Sequence, residues 1–310
     1  MKFNTKCVHG SGRPDSTGAI SPAIYMSSTF SHPKLGDTTG YQYTRESNPT
    51  RDRLEQLIAG LEDGKDALAF SSGMAAVDAV FHLFSPGDHI ILGDDLYGGS
   101  IRMFTNIYEQ NGIEFTYVGT SDLDAVKAAF KPNTKAVYIE TPTNPMMEIT
   151  DIRALCALAH ERNALVIIDN TFLSPYFQKP LTLGADIVVH SGTKFIGGHH
   201  DVISGFTVVK DDELAAKLRL TYKTVGACLS AMDSWLVIRG VKTLALRMEQ
   251  HQKNAIALAE WLKTQPKVTK VLFPGLPEHP GYEINKAQTT GFGGMSVSYT
   301  HLRAHETVLD

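Results

Sequence analysis

A regular alternation of strand-like and helix-like segments, from residue 50 to residue 170, is the feature that most constrains this fold. Short apolar runs predict five strands, at residues 67–70, 89–92, 114–118, 136–140 and 165–168. Helical periodicity between them predicts helices at residues 50–62, 73–84, 100–110, 123–130 and 152–162, with Ser121 as a candidate N-cap of the fourth. This order predicts an α/β protein with a mainly parallel sheet covered by helices on both faces.

The two ends of the chain do not follow this alternation. Residues 1–48 are rich in Ser, Thr, Pro and Gly, which predicts an extended N-terminal arm. Residues 49–245 are then expected to form the large domain, and residues 246–310 a small, incomplete α+β domain. A long helical stretch at residues 230–265, with room for a kink, would link the two. A chain of 310 residues exceeds the usual size of a single core, which agrees with one large domain and part of a second.

Lys194 lies in the segment Ser-Gly-Thr-Lys, directly after the apolar run at residues 185–190. A lysine attacks a carbonyl only when it is neutral, so a lysine at a strand end in a partly desolvated pocket is typical of a Schiff-base nucleophile. Ser191 and Thr193 supply two hydroxyl groups that could hold a phosphate. A surface lysine in a glycine-rich turn would have the same local sequence, because so short a motif recurs by chance.

Asp169 ends the apolar run at residues 166–168, so it should lie at the carboxyl edge of a strand. Ligands of open α/β sheets bind at that edge. A carboxylate there can pair with the pyridinium nitrogen of a cofactor, although an aspartate at this position is equally typical of a cap. Its position 25 residues before Lys194 favours the cofactor interpretation.

Two further turns contain candidate binding residues. Gly73 and Met74 open a predicted helix after a strand, where free backbone N–H groups suit a phosphate. Tyr97 lies in the loop Asp-Asp-Leu-Tyr-Gly-Gly and could stack on a flat heteroaromatic ring. Taken singly, the first is also an ordinary strand-to-helix turn, and the second is also a packing residue.

Together these segments resemble the Cys/Met-metabolism family of pyridoxal-phosphate enzymes, from about residue 5 to about residue 295. The resemblance rests on six motifs in order: YQYTRESNPT (41–50), SSGM (71–74), DDLYGG (94–99), ETPTNP (140–145), DNTF (169–172) and SGTK (191–194). It implies the fold type I of pyridoxal-phosphate transferases. It also implies that family members continue past residue 295 for about eighty to a hundred residues, including the arginine that binds the substrate α-carboxylate. We therefore expect a truncated chain, with residues 296–310 atypical of the family.

The resemblance also implies roles for individual residues. Lys194 would form the Schiff base with pyridoxal 5'-phosphate and Tyr97 would stack on its ring, and these two would be the catalytic residues. Asp169 would pair with the ring nitrogen, and Asn144 would lie near the ring hydroxyl. Gly73, Met74, Ser191 and Thr193 would hold the phosphate, with Tyr43 and Arg45 reaching it from a neighbouring subunit. A homo-oligomer, a dimer of dimers, is therefore expected.

The activity implied by this resemblance is that of a carbon–sulfur lyase in transsulfuration and methionine metabolism. The substrate would be cystathionine or a related sulfur amino acid, cleaved by β- or γ-elimination. Cystathionine γ-synthase is the alternative, because both activities share every motif. A fragment that binds the cofactor without turnover is a further alternative.

The composition excludes several other classes of partner. A net charge of −4 and a pI near 6.3 disfavour nucleic acid and anionic membranes. Three widely spaced cysteines fit a reducing compartment, the cytoplasm, and the N-terminus shows neither a signal peptide nor a membrane span. No metal is expected, since the adjacent residues His199, His200 and Asp201 would seldom converge on one ion.

Overall fold

The computed structural model describes residues 1–10, 12 and 16–300 of the chain, and a seven-stranded sheet forms its centre. Its strands are β1 (Asp66–Phe70), β2 (His89–Gly93), β3 (Glu114–Val118), β4 (Thr134–Glu140), β5 (Leu165–Asp169), β6 (Ile187–Ser191) and β7 (Gly205–Val209). They lie in the order β1-β7-β6-β5-β4-β2-β3. Only β7 runs antiparallel to its neighbours, so the predicted mainly parallel sheet is confirmed.

Helices cover both faces of this sheet, as the alternation predicts. The helices of the described residues are α1 (Phe3–His9), α2 (Pro49–Leu61), α3 (Gly73–Phe81), α4 (Gly98–Met103), α5 (Leu123–Ala129), α6 (Ile152–His160), α7 (Ser174–Phe177), α8 (Pro180–Leu183), α9 (Asp212–Val225), α10 (Ala231–Val241), α11 (Leu244–Lys263) and α12 (Tyr282–Gln288). On one face, Phe81 of α3 packs in a buried cluster with Tyr138 and Val189 of the sheet. On the other face, Ile58 of α2 packs with Val188. The adjacent β6 residues Val188 and Val189 therefore point to opposite faces of the sheet and belong to two separate hydrophobic cores.

Several helix boundaries differ from the sequence prediction. Asp122, and not Ser121, caps α5: its carboxylate accepts the N–H groups of Asp124 and Ala125, whereas the Ser121 hydroxyl contacts Glu148. The helix expected at residues 100–110 continues α4 as a π-helical turn over Phe104–Tyr108. The long stretch at residues 230–265 is two helices, α10 and α11, which break at residues 242–243.

The N-terminal arm is not extended throughout, because it begins with the short helix α1, whose Cys7 is buried against α2. Further along, an isolated bridge pairs Thr29 with Tyr43. At the other end of the described chain, β8 (Val268–Leu272) and β9 (Val297–Thr300) form a small antiparallel sheet. The boundary predicted at residues 245/246 falls within α11. Among the described residues, none of the helices has the length and apolarity needed to cross a membrane.

Candidate active site

The candidate site lies at one edge of the large sheet, where β4, β5 and β6 end side by side. Glu140 at the end of β4 is in register with Asp169 at the end of β5, and Asp169 is in register with Val189. Asp169 Oδ1 accepts the N–H of Thr171 at 2.9 Å, and the Thr171 hydroxyl accepts the N–H of Ser191 at 2.8 Å. Short hydrogen bonds therefore fix the ends of β5 and β6 to each other.

Two carboxyl groups share this edge, and both ionise less readily than usual. Burial raises the pKa of Asp169, although hydrogen bonds from Thr171 and the charge of His190 act in the opposite direction. Burial and the neighbouring Asp169 raise the pKa of Glu140 well above its usual range. Sequence reasoning did not single out Glu140. Glu140 ends the apolar run of β4 as Asp169 ends that of β5, and this position could have identified it as a site residue.

The start of α3 lies against the end of β6. Ser72 caps this helix by accepting the N–H of Ala75 at 3.1 Å, and the N–H groups of Gly73 and Met74 have no acceptor among the described residues. A Cβ added to Gly73 would lie 2.9 Å from the Cβ of Ser191, so only glycine fits this close approach without displacing the strand end. Free N–H groups in a tight glycine-lined turn fit the phosphate group that the sequence implied here.

The two hydroxyl residues of the SGTK segment lie in different environments. The Thr193 hydroxyl donates to the carbonyl of Ser204 at 3.2 Å and accepts the N–H of the same residue at 3.1 Å. The half-buried Ser191 hydroxyl has no hydrogen-bond partner within the described chain. Thr193 therefore holds the turn to the start of β7, while Ser191 keeps its hydroxyl available beside α3.

Lys194 lies in the turn after β6 with an exposed side chain that has no hydrogen-bond or ionic partner in the described part of the chain. The guanidinium of Arg247, on α11, donates to the carbonyls of Phe195 at 2.6 Å and Ile196 at 3.4 Å. Gly198 has a φ of +71°, and a Cβ there would lie 1.9 Å from Arg247 Nη1. Arg247 therefore holds the lysine turn from a distant helix, which no local sequence signal predicted.

The turn after Lys194 contains two adjacent histidines, His199 and His200. His199 Nδ1 lies 2.8 Å from the carbonyl of Gly197. No group of three or more His, Cys, Asp and Glu side chains in residues 1–10, 12 and 16–300 could hold a metal ion.

Tyr97 occupies the N-cap position of α4, in the loop after β2. Its backbone N–H donates to Glu140 Oε1 at 2.8 Å, and its ring, 51% exposed, lies against Gly99. Asn144 lies in the loop after β4, half-buried and with no hydrogen bond from its side chain in the described residues. Asp95 Oδ2 accepts the N–H of Met146 at 2.9 Å, so the loops that carry Tyr97 and Asn144 are joined to each other.

Tyr43 and Arg45 project from the arm and do not join the other candidate residues within one chain. The Arg45 guanidinium lies over the Tyr43 ring at 5.2 Å from its centroid, and it donates to the backbone carbonyl of Lys223 on α9. Both side chains are exposed. Neither contacts another of the predicted site residues in the described chain.

Known proteins of similar sequence carry three different names. The chain is 51% identical over 294 residues to the cystathionine β-lyase of Lactococcus lactis, covering 94% of this chain and 77% of that protein. It is 47% identical over 294 residues to the cystathionine γ-synthase of Mycobacterium tuberculosis, covering 94% of this chain and 76% of that one. Among solved structures, cystathionine γ-lyase from Lactobacillus plantarum complexed with L-serine superposes with a TM-score of 0.95, at 50% identity, over 97% of this chain and 79% of that one.

The fold comparison confirms the α/β prediction of fold type I, because the similar structure is itself a cystathionine lyase. The sequence model described as "Cys/Met metabolism PLP-dependent enzyme" matches residues 4–309, which is nearly the whole chain and includes residues beyond 295. The predicted resemblance is confirmed by both comparisons. This chain belongs to the Cys/Met metabolism family of PLP-dependent enzymes.

Proposed function

We propose that this protein is a PLP-dependent carbon–sulfur lyase that cleaves cystathionine or a related sulfur amino acid. One observation carries the proposal beyond family membership: Asp169, Ser191 and the start of α3 meet at one sheet edge, and Lys194 follows within the same turn. A carboxylate for the ring nitrogen, a turn with free N–H groups for the phosphate and a lysine for the Schiff base are recurrent features of pyridoxal-phosphate sites.

The residues present fit the cofactor. We expect the N–H groups of Gly73 and Met74 and the hydroxyl of Ser191 to hold the phosphate, since all three lack acceptors or partners in the described chain. Thr193 would support them through its two bonds to Ser204. The glycine-lined turn supports this assignment, because a Cβ at position 73 would fill the space beside Ser191.

The aromatic and carboxyl groups would orient the ring. Asp169 would face the ring nitrogen with a carboxylate anchored by Thr171, and Tyr97 would cover one ring face. Asn144 would lie near the ring hydroxyl, from a loop joined to that of Tyr97. The bound cofactor supplies an electron sink that acidifies the α-carbon of an amino acid.

Lys194 is the group of this chain that moves protons. We expect its Nζ to accept the proton from the substrate Cα and to return a proton to the departing sulfur, so that one amine serves as base and then as acid. An exposed side chain without a hydrogen-bond or ionic partner among the described residues can reorient between these two positions. The backbone of its turn stays fixed through Arg247.

Two alternative functions are also candidates: a cystathionine γ-synthase and a protein that binds the cofactor without turnover. The γ-synthase named among the relatives is 47% identical, against 51% for the β-lyase, and sequence identity this similar does not separate replacement from elimination. The second is a chain that binds the cofactor without turnover. The chain spans about 77% of the length of the Lactococcus lactis β-lyase.

Product analysis tests the proposal, in one reaction with L-cystathionine and in a second with cysteine and an activated homoserine. Cleavage at the β-carbon yields pyruvate, cleavage at the γ-carbon yields 2-oxobutanoate, and a synthase yields cystathionine from cysteine and an activated homoserine. We expect a keto acid, from the wild-type chain only, with Lys194→Ala as the blank. Formation of cystathionine without either keto acid would favour the synthase. A visible cofactor band without any product would favour the cofactor-binding chain.

We also propose a homo-oligomer, a dimer of dimers, in which Tyr43 and Arg45 reach the phosphate of a neighbouring subunit. The exposure of both residues and their separation from the site of their own chain support this arrangement. The cytoplasm remains the predicted location, on the basis of the three cysteines that are free in the structure.

A further inference from the structure

We infer that Glu140 is a positioning residue that holds Tyr97 in place at the cofactor site. Its Oε1 atom accepts the backbone N–H of Tyr97 at 2.8 Å across 43 residues of sequence. The inference rests on the proposed function, because the ring of Tyr97 has a task only if a flat cofactor binds beside it. No role for Glu140 followed from the sequence motifs.

Tyr97 needs an anchor of this kind. It occupies the N-cap position of α4 without a side-chain cap, and its ring is half-exposed against Gly99, which contributes no side chain. On the carbonyl side, α4 fixes its backbone through the N–H groups of Ser100 and Ile101. The backbone N–H of Tyr97 donates to the Glu140 carboxyl group. Among the described residues, Glu140 is the hydrogen-bond partner of Tyr97 that lies outside its loop and helix.

The location of Glu140 is costly for a carboxyl group. Only 7% of the residue is exposed, and it is the register partner of Asp169 across two parallel strands. Burial and the like charge of Asp169 both oppose its ionisation. An apolar side chain would avoid this cost, so the carboxyl group is best explained by what it contacts. Its one side-chain hydrogen bond in the described chain goes to Tyr97.

A second route of action must be separated from the first, since Glu140 could also act on the cofactor through Asp169. A double-mutant cycle on cofactor affinity distinguishes them, because only residues that act through each other are non-additive. The four proteins are wild type, Glu140→Met, Tyr97→Ala and the double variant. Methionine keeps the volume of the side chain without a strong acceptor. Tyr97→Ala keeps the backbone N–H but removes the ring that it positions.

Titration of each apoprotein with pyridoxal phosphate, followed by absorbance, gives the dissociation constants. We expect Glu140→Met to weaken binding about fivefold in the wild-type background, the loss of about one hydrogen bond. In the Tyr97→Ala background the same change should weaken binding by less than about twofold. An equal loss in both backgrounds would assign the effect to Asp169 and overturn the inference, as would unchanged affinity in Glu140→Met.

The conservative variant Glu140→Gln provides the rescue control. Its amide oxygen can still accept the Tyr97 N–H, so we expect affinity within about twofold of wild type. Loss of affinity equal to that of Glu140→Met would show that the charge, and not the acceptor, matters, and it would contradict the inference.

Amide hydrogen exchange tests the contact without any ligand. In the wild-type protein we expect the Tyr97 N–H to be protected, and in Glu140→Met to exchange at least about tenfold faster. An unprotected Tyr97 amide in wild type would overturn the inference even if Glu140→Met does not fold. A wild-type chain that binds no pyridoxal phosphate would instead overturn the proposed function, while the exchange result still tests the Glu140–Tyr97 bond.

Discussion

The sheet edge and the N-terminal arm supply the candidate site in different ways. At the edge, Asp169 and Ser191 are held by Thr171 through hydrogen bonds of 2.9 and 2.8 Å within one chain. The outer part of the arm exposes large apolar side chains such as Ile20 and Met26, which are 78% and 77% exposed. The edge is therefore complete in a single subunit, whereas the arm needs another surface to cover it.

The base of the arm is nevertheless firmly fixed. The buried Asn48 amide donates to the carbonyl of Tyr25 at 2.9 Å and to the Thr44 hydroxyl at 3.1 Å. The fully buried Arg51 donates to the carbonyls of Thr44 at 2.6 Å and Leu229 at 3.2 Å. These contacts place the backbone directly before Arg45. Substitutions at the sheet edge should therefore lower turnover. Substitutions in the arm should weaken binding of pyridoxal phosphate, and their effect should depend on the neighbouring subunit.

The largest expected effect is at the edge. Lys194→Ala should abolish the covalent adduct with pyridoxal phosphate and reduce elimination by about 10⁴-fold, because the amine serves as anchor and as acid/base. Borohydride trapping followed by peptide mapping measures the adduct. The control is Lys135→Ala, an exposed lysine of β4. An adduct that maps to another lysine would remove the assignment.

A smaller effect is expected from Asp169→Asn, which keeps the shape of the side chain and its bond from Thr171. Without the charge that keeps the ring nitrogen protonated, turnover should fall by about 10² to 10³-fold while part of the cofactor affinity is retained. Steady-state kinetics with saturating pyridoxal phosphate measures this. Near-normal turnover would show that Asp169 is only a cap of the Thr171 turn.

At the arm, Arg45→Ala should weaken cofactor binding by about tenfold, the loss of one charged contact to the phosphate. The exposed Arg153 of α6 is the matched control, and Arg153→Ala should bind like wild type. Fluorescence or absorbance titration measures the dissociation constant. Unchanged cofactor binding in Arg45→Ala would show that Arg45 does not contact the phosphate and has only the structural contact with the Lys223 carbonyl on α9.

Mixed oligomers then decide which subunit supplies the arginine. Chains with Lys194→Ala are combined with chains that carry Arg45→Ala, and the cofactor is kept too dilute to load the second variant alone. If Arg45 acts across subunits, borohydride should trap cofactor on the Arg45→Ala chain, because its neighbour supplies the arginine. Absence of trapping in a verified hybrid would show that the arm serves its own chain.

The smallest expected effect comes from the base of the arm. Asn48→Ala removes the cap of α2 together with the bonds to Tyr25 and Thr44, so unfolding should become easier by about 1 kcal/mol. Cofactor affinity should fall about threefold, because Arg45 is less well placed. Asp122→Ala, which removes the cap of α5, should cost similar stability and leave affinity unchanged. Equal affinity losses in both variants would indicate a general effect of stability.

Sequence periodicity predicted the sheet edge well because strand ends are local features. Asp169 and Ser191 end apolar runs, and runs of this kind become neighbouring strands in a parallel sheet. Helix α9 was not predicted, although it has an Asp211 cap and a Gly226 C-cap in the left-handed conformation. Its core-facing residues Leu214, Leu218 and Tyr222 recur every four residues, so the sequence did contain a helical signal in this region.

Long-range polar contacts were the other omission. Glu140 reaches Tyr97 across 43 residues, and Arg247 reaches Phe195 across 52. The sequence does not distinguish a glutamate or an arginine that makes such a long-range hydrogen bond from any other charged residue. The choice of Ser121 over Asp122 as a cap failed for a related reason, since adjacent residues compete for the same N–H groups and only the backbone geometry decides.

The contact between Arg247 and the lysine turn has a mechanical consequence. Helix α11 cannot rotate or slide against the sheet without breaking the bonds from Arg247 to Phe195 and Ile196, and Gly198 leaves no spare room beside the guanidinium. Arg247 therefore couples the position of the lysine turn to that of the first part of α11. A movement of the C-terminal segment that hinged at residue 245 would displace Arg247 and, with it, the turn that carries Lys194, whereas a hinge beyond position 247 would leave that turn in place.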